Sequence, residues 1–296
     1  MSFKPIHKLL DWIDSNILVW RNLSRNPNAI TLLEQNQDKI DWDFLSMNPN
    51  AIHLLEKNQD KIDWNRLSLN PNAIPLLEKN FDKIDWIWLS KNPNAIPLLE
   101  KNFDKIDWFF LSINPNAIHL LEQNIDKIKW DSLSENPNAM HLIEKNQDKL
   151  HLNNLNQNPN AINFLKQNQD KINWDFLSMN PNAIDLLEQN QDKIHWYWIC
   201  RNQNAMHLIE QEPMIIDWTF LSGNPNAIHL IKQNLDKINR HTLCINPSIF
   251  VLDTNTMRNN CKDFAEELAA YVFHPQRIIR FGKKYNIEFD ELLEIY

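Results

Sequence analysis

The sequence predicts an all-α fold, an elongated solenoid of eleven 22-residue helix–turn–helix repeats with a helical cap at each end. Ten prolines recur every 22 residues, with Gln203 in place of one, from Pro27 to Pro247. An asparagine precedes every one of these eleven positions, from Asn26 to Asn246. A fixed period without insertions indicates that each repeat is one block stacked on equivalent neighbours.

Each repeat, called a unit below, is predicted to form two short helices. In the unit that begins at Trp42, Asn48 is expected to cap one helix and Pro49 to occupy its first position. Asn58 is expected to end that helix in the left-handed conformation, since few other residues tolerate it. Asp63 is expected to cap the next short helix. The apolar stripe between these caps is Ala51, Ile52, Leu54 and Leu55.

Three segments follow from the extent of the repeat. Residues 1–19 are predicted to be an N-terminal helical cap, with Leu9, Leu10, Trp12 and Ile13 on a short amphipathic helix. Residues 20–250 form the solenoid, and residues 251–296 a C-terminal helical cap or tail. With stacked helices about 8–10 Å apart, eleven units are expected to extend roughly 90–110 Å.

The composition excludes several classes of function. Lys and Arg number 30 and Asp and Glu 38, a formal charge of −8, so neither nucleic acid nor an anionic membrane is an expected partner. The two glycines, Gly223 and Gly282, cannot form a phosphate-binding loop. No run of 18 apolar residues and no signal peptide is present. Three cysteines are typical of a reducing compartment.

The tandem unit Asp-Trp-x-x-Leu-Ser-x-Asn-Pro-Asn-Ala-Ile-x-Leu-Leu-Glu, as in residues 85–100, resembles repeat proteins of amoeba-infecting giant DNA viruses of the mimivirus kind. The stretch Phe273-His274-Pro275-Gln276-Arg277-Ile278 is similar to a tail found on many proteins of those viruses. The resemblance implies an α-helical repeat without transferable catalytic residues, acting in the host cytoplasm or the viral factory of an infected cell.

Chemistry-bearing residues follow the repeat instead of interrupting it. The tryptophan column is predicted to be core, and the column of His53, His119, His141, His207 and His229 an exposed position too variable for zinc. Cys200 and Cys244 occupy a serine position and are expected to be small buried groups. No catalytic grouping departs from the repeat, so neither an enzyme nor a cofactor or metal site is predicted.

The two positions after each tryptophan vary, and at least one of each pair is expected to face outward. Aromatic residues concentrate there, and an exposed apolar patch commonly marks an interface. Burial of these side chains between units is the alternative. The predicted partner-binding residues are Phe81, Ile87, Trp88, Phe103, Phe109, Phe110, Tyr197 and Trp198.

These observations lead to a non-enzymatic scaffold for a protein partner. The alternatives are a self-assembling structural or virion component and, with less support, a repeat protein that reads RNA. Asp43, Asp131 and Asp175 at the positions that would read bases oppose the RNA alternative.

Overall fold

The computed structural model describes residues 5–149, 152–272, 274, 276, 277 and 280. It confirms the all-α repeat fold with its 22-residue period. Unit 1 begins at Trp20 and unit 11 at Arg240. In the described residues, each unit opens with a short first helix: Trp20–Ser24, Trp42–Ser46, Trp64–Leu69, Trp86–Lys91, Trp108–Ile113, Trp130–Leu133, Leu152–Leu155, Trp174–Ser178, Trp196–Ile199, Trp218–Leu221 and Arg240–Ile245.

Units 1 to 10 continue into a second helix, which begins just after the repeated asparagine–proline turn. These helices are Ile30–Gln35, Ile52–Lys57, Ile74–Lys79, Ile96–Lys101, Ile118–Gln123, Met140–Lys145, Ile162–Gln167, Ile184–Glu188, Met206–Gln211 and Ile228–Gln233. A 3-10 turn leads into the next unit at Gln37–Lys39, Gln59–Lys61, Phe81–Lys83, Phe103–Lys105, Ile125–Lys127, Gln147–Lys149, Gln169–Lys171, Gln191–Lys193 and Pro213–Ile215.

The chain divides into two compact parts. One part is residues 9–251, and the other combines the N-terminal segment up to Lys8 with the C-terminal segment from Leu252. Strand β1, His7–Leu9, pairs with strand β2, Phe250–Leu252. The C-terminal part contains helices Thr254–Asn260 and Lys262–Val272. Further 3-10 turns span Ser15–Ile17, Pro159–Ala161, Pro225–Ala227 and Pro247–Ile249.

The expected amphipathic helix over Leu9–Ile13 is wrong. The chain there leaves β1 and turns, and the Leu10 amide donates to the Ile249 carbonyl at 2.9 Å. A strand partner satisfies the backbone of so short a segment better than an isolated helical turn, which would leave most of its own amides and carbonyls unpaired.

Side-chain capping marks the start of most first helices and the end of most second helices in the described residues. The Asp63 carboxylate accepts from the Arg66 amide at 3.1 Å, as expected of an N-cap. The Asn48 side-chain oxygen accepts from the Asn50 amide at 3.0 Å, but this bond caps a turn. The predicted helix start at Pro49 is wrong in this unit, because the second helix begins at Ile52, after Ala51, without a side-chain cap. The left-handed C-cap is wrong, because Asn58 has φ −134°. Its side-chain nitrogen instead donates to the Leu54 carbonyl at 2.9 Å, which satisfies a terminal carbonyl without a positive φ.

A buried asparagine ladder joins successive units. The side-chain nitrogen of Asn114 donates to two carbonyls of the preceding unit, those of Ser90 at 3.0 Å and Asn92 at 2.9 Å. Asn114 is fully buried, so these bonds replace water that cannot reach the carbonyls. The equivalent pair of bonds recurs at Asn48, Asn70, Asn92, Asn136, Asn158, Asn180, Asn202, Asn224 and Asn246.

The same ladder closes residues 9–251 into a ring. Asn26 of unit 1 donates to the carbonyls of Cys244 and Asn246 in unit 11, at 3.0 and 2.9 Å. The Asn28 side chain donates to the Pro247 carbonyl at 3.0 Å, as Asn50 does to Pro27 one unit apart. Unit 11 therefore meets unit 1 in the register of every other junction. The predicted elongation of the repeat array is wrong, since its first and last units are neighbours.

The core runs around this ring as a band of small and branched side chains. Leu45, Ala51 and Leu55 are fully buried, as are the counterparts of Leu45 and Ala51 in the other units and those of Leu55 in units 1 to 10. The tryptophans pack against this band but are only half-buried. One indole face lies under a lysine, as Lys61 Nζ lies 4.6 Å from the centre of the Trp42 ring. The tryptophans are therefore the edge of the core, and the predicted charged turn partly covers them.

Candidate binding surface

The first helices line the inner circumference of the ring. Backbones of successive first helices approach one another more closely than those of successive second helices. In a closed ring, the row with the smaller spacing has the smaller radius. Leu45 and Ser46 of a first helix are buried, whereas Asp43 is exposed and Phe44 and Met47 are half-buried. The variable positions therefore lie on the side of the first helices that faces away from the core.

The size of the ring follows from the spacing of its helices. Eleven helices spaced about 8–10 Å apart give a circumference of roughly 90–110 Å, and helix thickness of about 10–12 Å then leaves an opening of roughly 20 Å. An α-helix or a β-hairpin fits within that width.

The structure places the aromatic residues of units 4 and 5 together on the first helices. Ile87, Trp88 and Phe109 are exposed, and Phe110 is half-buried. The Trp88 and Phe110 rings lie 5.3 Å apart at 37°, and Phe109 meets Phe110 edge-on at 5.3 Å. We call these four residues the Trp88 cluster. The three aromatic rings pack against one another across two units instead of between the two helix layers.

Phe81 and Phe103 lie on the 3-10 turns, next to the tryptophans that open the following units. Phe81 meets Trp86 edge-on at 5.3 Å, and Phe103 meets Trp108 at 5.5 Å. Both phenylalanines are exposed, at 45% and 39%, and Ile125 is exposed at the same position of the next turn. These residues form a row separate from the first-helix positions.

A second cluster lies on units 9 and 10. Tyr197 and Trp198 both contact Phe220, at 4.6 Å and 5.5 Å between ring centres. We call these three residues the Trp198 cluster. The Arg201 guanidinium lies 4.9 Å from the centre of the Phe220 ring. Five units separate the two clusters in one direction and six in the other, so they lie on nearly opposite sides of the ring.

Phe220 and Arg201 are not among the partner-binding residues that the sequence predicts. Units 4 and 9 nevertheless match closely in sequence. Trp86-Ile87-Trp88-Leu89-Ser90-Lys91 corresponds to Trp196-Tyr197-Trp198-Ile199-Cys200-Arg201, and a phenylalanine follows 22 residues after the second tryptophan in each case. The same aromatic pair and the same cation position are therefore built twice.

The repeated histidines form a row of their own. The Nε2 atoms of His53, His119, His141, His207 and His229 lie 2.6–2.7 Å from a glutamate Oε1 of the preceding unit. The sequence predicted an unconstrained position, whereas each of these histidines is paired with a glutamate. Within the described part of the chain, no group of three or more metal-ligating side chains comes together.

The cysteines of the repeat are buried in the serine row. Cys200 and Cys244 are fully buried, and burial raises the pKa of both thiols. The Cys244 sulfur accepts from the Val19 amide at 3.2 Å across the ring junction. This contact is equivalent to the bond from the Asp63 amide to the Ser46 hydroxyl, so the two cysteines take the structural role of serine.

Comparison of the chain with known protein families, with curated proteins and with solved structures finds no match. The helices that the structure describes are all too short or too polar to cross a bilayer. Within residues 9–251, the structure thus defines a closed ring of eleven helical repeats, ten of which have two helices, with two aromatic clusters on its inner row.

Proposed function

We propose that this protein is a non-enzymatic scaffold that holds a protein partner against the inner row of its ring. The observation that carries the proposal is the exposure of large apolar side chains where other units carry polar ones. Ile87 and Phe109 are 51% and 50% exposed, whereas aspartate or asparagine occupies the same position in units 2, 3, 6, 7 and 8.

Physical reasoning favours a polypeptide as the partner. Tryptophan, tyrosine and arginine dominate the binding energy of protein interfaces, where they lie in the centre and exclude water. Both clusters combine aromatic rings with a cation position, Lys91 or Arg201. The resemblance of the repeat to giant-virus proteins supports placing this activity in the cytoplasm or viral factory of an infected cell.

Self-association is the second candidate, because Phe81, Phe103 and Ile125 expose a row of apolar side chains on the 3-10 turns. Such a row could be covered by a second copy of the chain. RNA recognition has less support, since the first helices also carry exposed Asp43, Asp131 and Asp175, which repel phosphates.

We expect the double substitution Trp88→Ser and Phe110→Ser to weaken partner binding by about 30-fold or more, the loss of at least one interface hot spot. Helix content should not change, because both side chains lie outside the buried band. The measurement is quantitative capture of partners from infected amoeba cells, with helicity followed by far-ultraviolet circular dichroism.

The matched control is Phe176→Ser, at the Phe110 position of unit 8, which should retain the same partner. Equal capture by wild type and the Trp88/Phe110 variant would refute the proposal. A wild-type mass above that of the monomer by light scattering, lost on Phe81→Ser and Phe103→Ser, would favour self-association instead.

A further inference from the structure

We propose that the Trp198 cluster anchors an acidic partner segment, with one bulky apolar side chain in a pocket at Gly223 and a neighbouring carboxylate on Arg201. This inference rests on the proposed function and names the chemistry of the segment that the ring would take. The two clusters are built alike, and the difference between them identifies the pocket.

That difference lies one unit after each cation. Ile113 follows Lys91 in the Trp88 cluster, whereas Gly223 follows Arg201 in the Trp198 cluster. Other units place a side chain there, among them Met47 and Ile245. A Cβ built on Gly223 would lie 3.5 Å from the Phe220 carbonyl oxygen and 3.6 Å from Thr242 Cβ, ordinary contact distances. A side chain would therefore fit, and the glycine leaves this space open.

The resulting pocket has a volume of about 200 Å³ and spans units 9 to 11. Its lining combines the apolar groups of Phe220, Ile245 and Pro225 with the polar Gln203, Asn224 and Thr242, and Arg201 also contributes to it. An apolar cavity of about 150 Å³ is large enough for benzene, so this pocket can take one aromatic or large aliphatic side chain.

The charge around the pocket favours acidic residues beside the apolar side chain of the bound segment. Arg201 is exposed and lies on an aromatic face, and no described carboxylate lies within 4.0 Å of it. Arg25 of unit 1 is also exposed on this side of the ring, whereas Arg21 already pairs with Asp41 at 3.7 Å. None of the corresponding first-helix positions in units 9, 10, 11 and 1 is acidic. A guanidinium held on an aromatic ring is well placed to bind a carboxylate through two parallel hydrogen bonds.

The test uses a fluorescein-labelled pentapeptide of one phenylalanine flanked on each side by two glutamates, with binding to the whole protein followed by fluorescence polarisation. Saturable binding is expected for the wild type. Gly223→Ile should weaken it about tenfold or more by filling the pocket, and Arg201→Gln by a similar factor by removing the charged donor. Gly223→Ile should fold normally, since unit 5 carries Ile113 at this position.

Two matched probes and one variant complete the design. Peptides with lysine for glutamate or alanine for phenylalanine should bind at least about tenfold more weakly. Phe44→Ser, at the Phe220 position of unit 2 and outside both clusters, should leave the affinity unchanged. No saturable binding by the wild type, an unchanged affinity for Gly223→Ile, or equal binding of the lysine peptide would each overturn the inference. Those results would leave the Trp88/Phe110 capture experiment standing, so the two proposals fail separately.

Discussion

Asn114→Asp is expected to lower the free energy of unfolding by about 3–5 kcal/mol, the cost typical of an uncompensated buried charge. The native amide donates to two carbonyls that have no access to water. A carboxylate has the same shape but no donor, and it faces both carbonyl oxygens. The substitution therefore removes two bonds, each worth about 1 kcal/mol, and adds repulsion. Urea denaturation followed by circular dichroism measures the change.

Asn116 provides the matched control two residues away. It is exposed, and its side-chain nitrogen donates to the Pro93 carbonyl at 2.9 Å. Because water can replace that bond, Asn116→Asp should cost about 1 kcal/mol or less. Equal losses at the two positions would contradict a structural role for the buried ladder.

Asn26→Asp is expected to cost as much as Asn114→Asp, about 3–5 kcal/mol. In an open array, Asn26 would belong to the first unit and would have no preceding unit to bond. In the ring, its side chain reaches the carbonyls of Cys244 and Asn246 and is fully buried. Comparing Asn26→Asp with Asn114→Asp by urea denaturation therefore tests whether the ring is closed.

A small effect of Asn26→Asp beside a large effect of Asn114→Asp would indicate that unit 1 has a free face. Asn28→Asp serves as the control for the junction, because its half-buried side chain makes one bond, to the Pro247 carbonyl. We expect it to cost less than Asn26→Asp, as Asn116→Asp costs less than Asn114→Asp.

The sequence predicted the local structure because its determinants are local. Asp63 caps the next first helix where its spacing placed it, and Leu45 and Leu55 are buried as the helical stripe requires. Asn48 caps only a turn, because the second helix begins three residues later than predicted, at Ile52. The end of the second helix was predicted incorrectly because Asn58 has two ways to satisfy a helix terminus. Asparagine can end a helix either with a left-handed backbone or with a side-chain bond such as the one to the Leu54 carbonyl. Because both use the same residue, the sequence does not distinguish them.

Closure of the ring could not be predicted from the apolar stripe of a single unit. It depends on the difference in spacing between the inner and outer helix rows, a small rotation that accumulates over eleven junctions. One signal was available in the terminal units. An open solenoid needs polar outer faces at its ends, yet unit 1 retains Asn26 and Leu23 at fully buried positions.

The candidate surface was predicted in part. The variable pair after each tryptophan exposes at least one member in the Trp88 and Trp198 clusters, because helical phase alone directs it away from Leu45. The pocket was not predicted, since it arises from a missing side chain at Gly223 and from neighbours in two other units. That space becomes visible only once adjacent units are in register.

The most direct test of the ring is the distance between unit 1 and unit 11. Spin labels on cysteines at Arg21 and His241, both exposed at equivalent positions, can be introduced with Cys200, Cys244 and Cys261 replaced by serine. The ring places these positions on neighbouring helices, so pulsed electron paramagnetic resonance should give a distance of about 20 Å or less, labels included. An open array would separate them by ten units, roughly 80–100 Å, and such a distance would contradict the account.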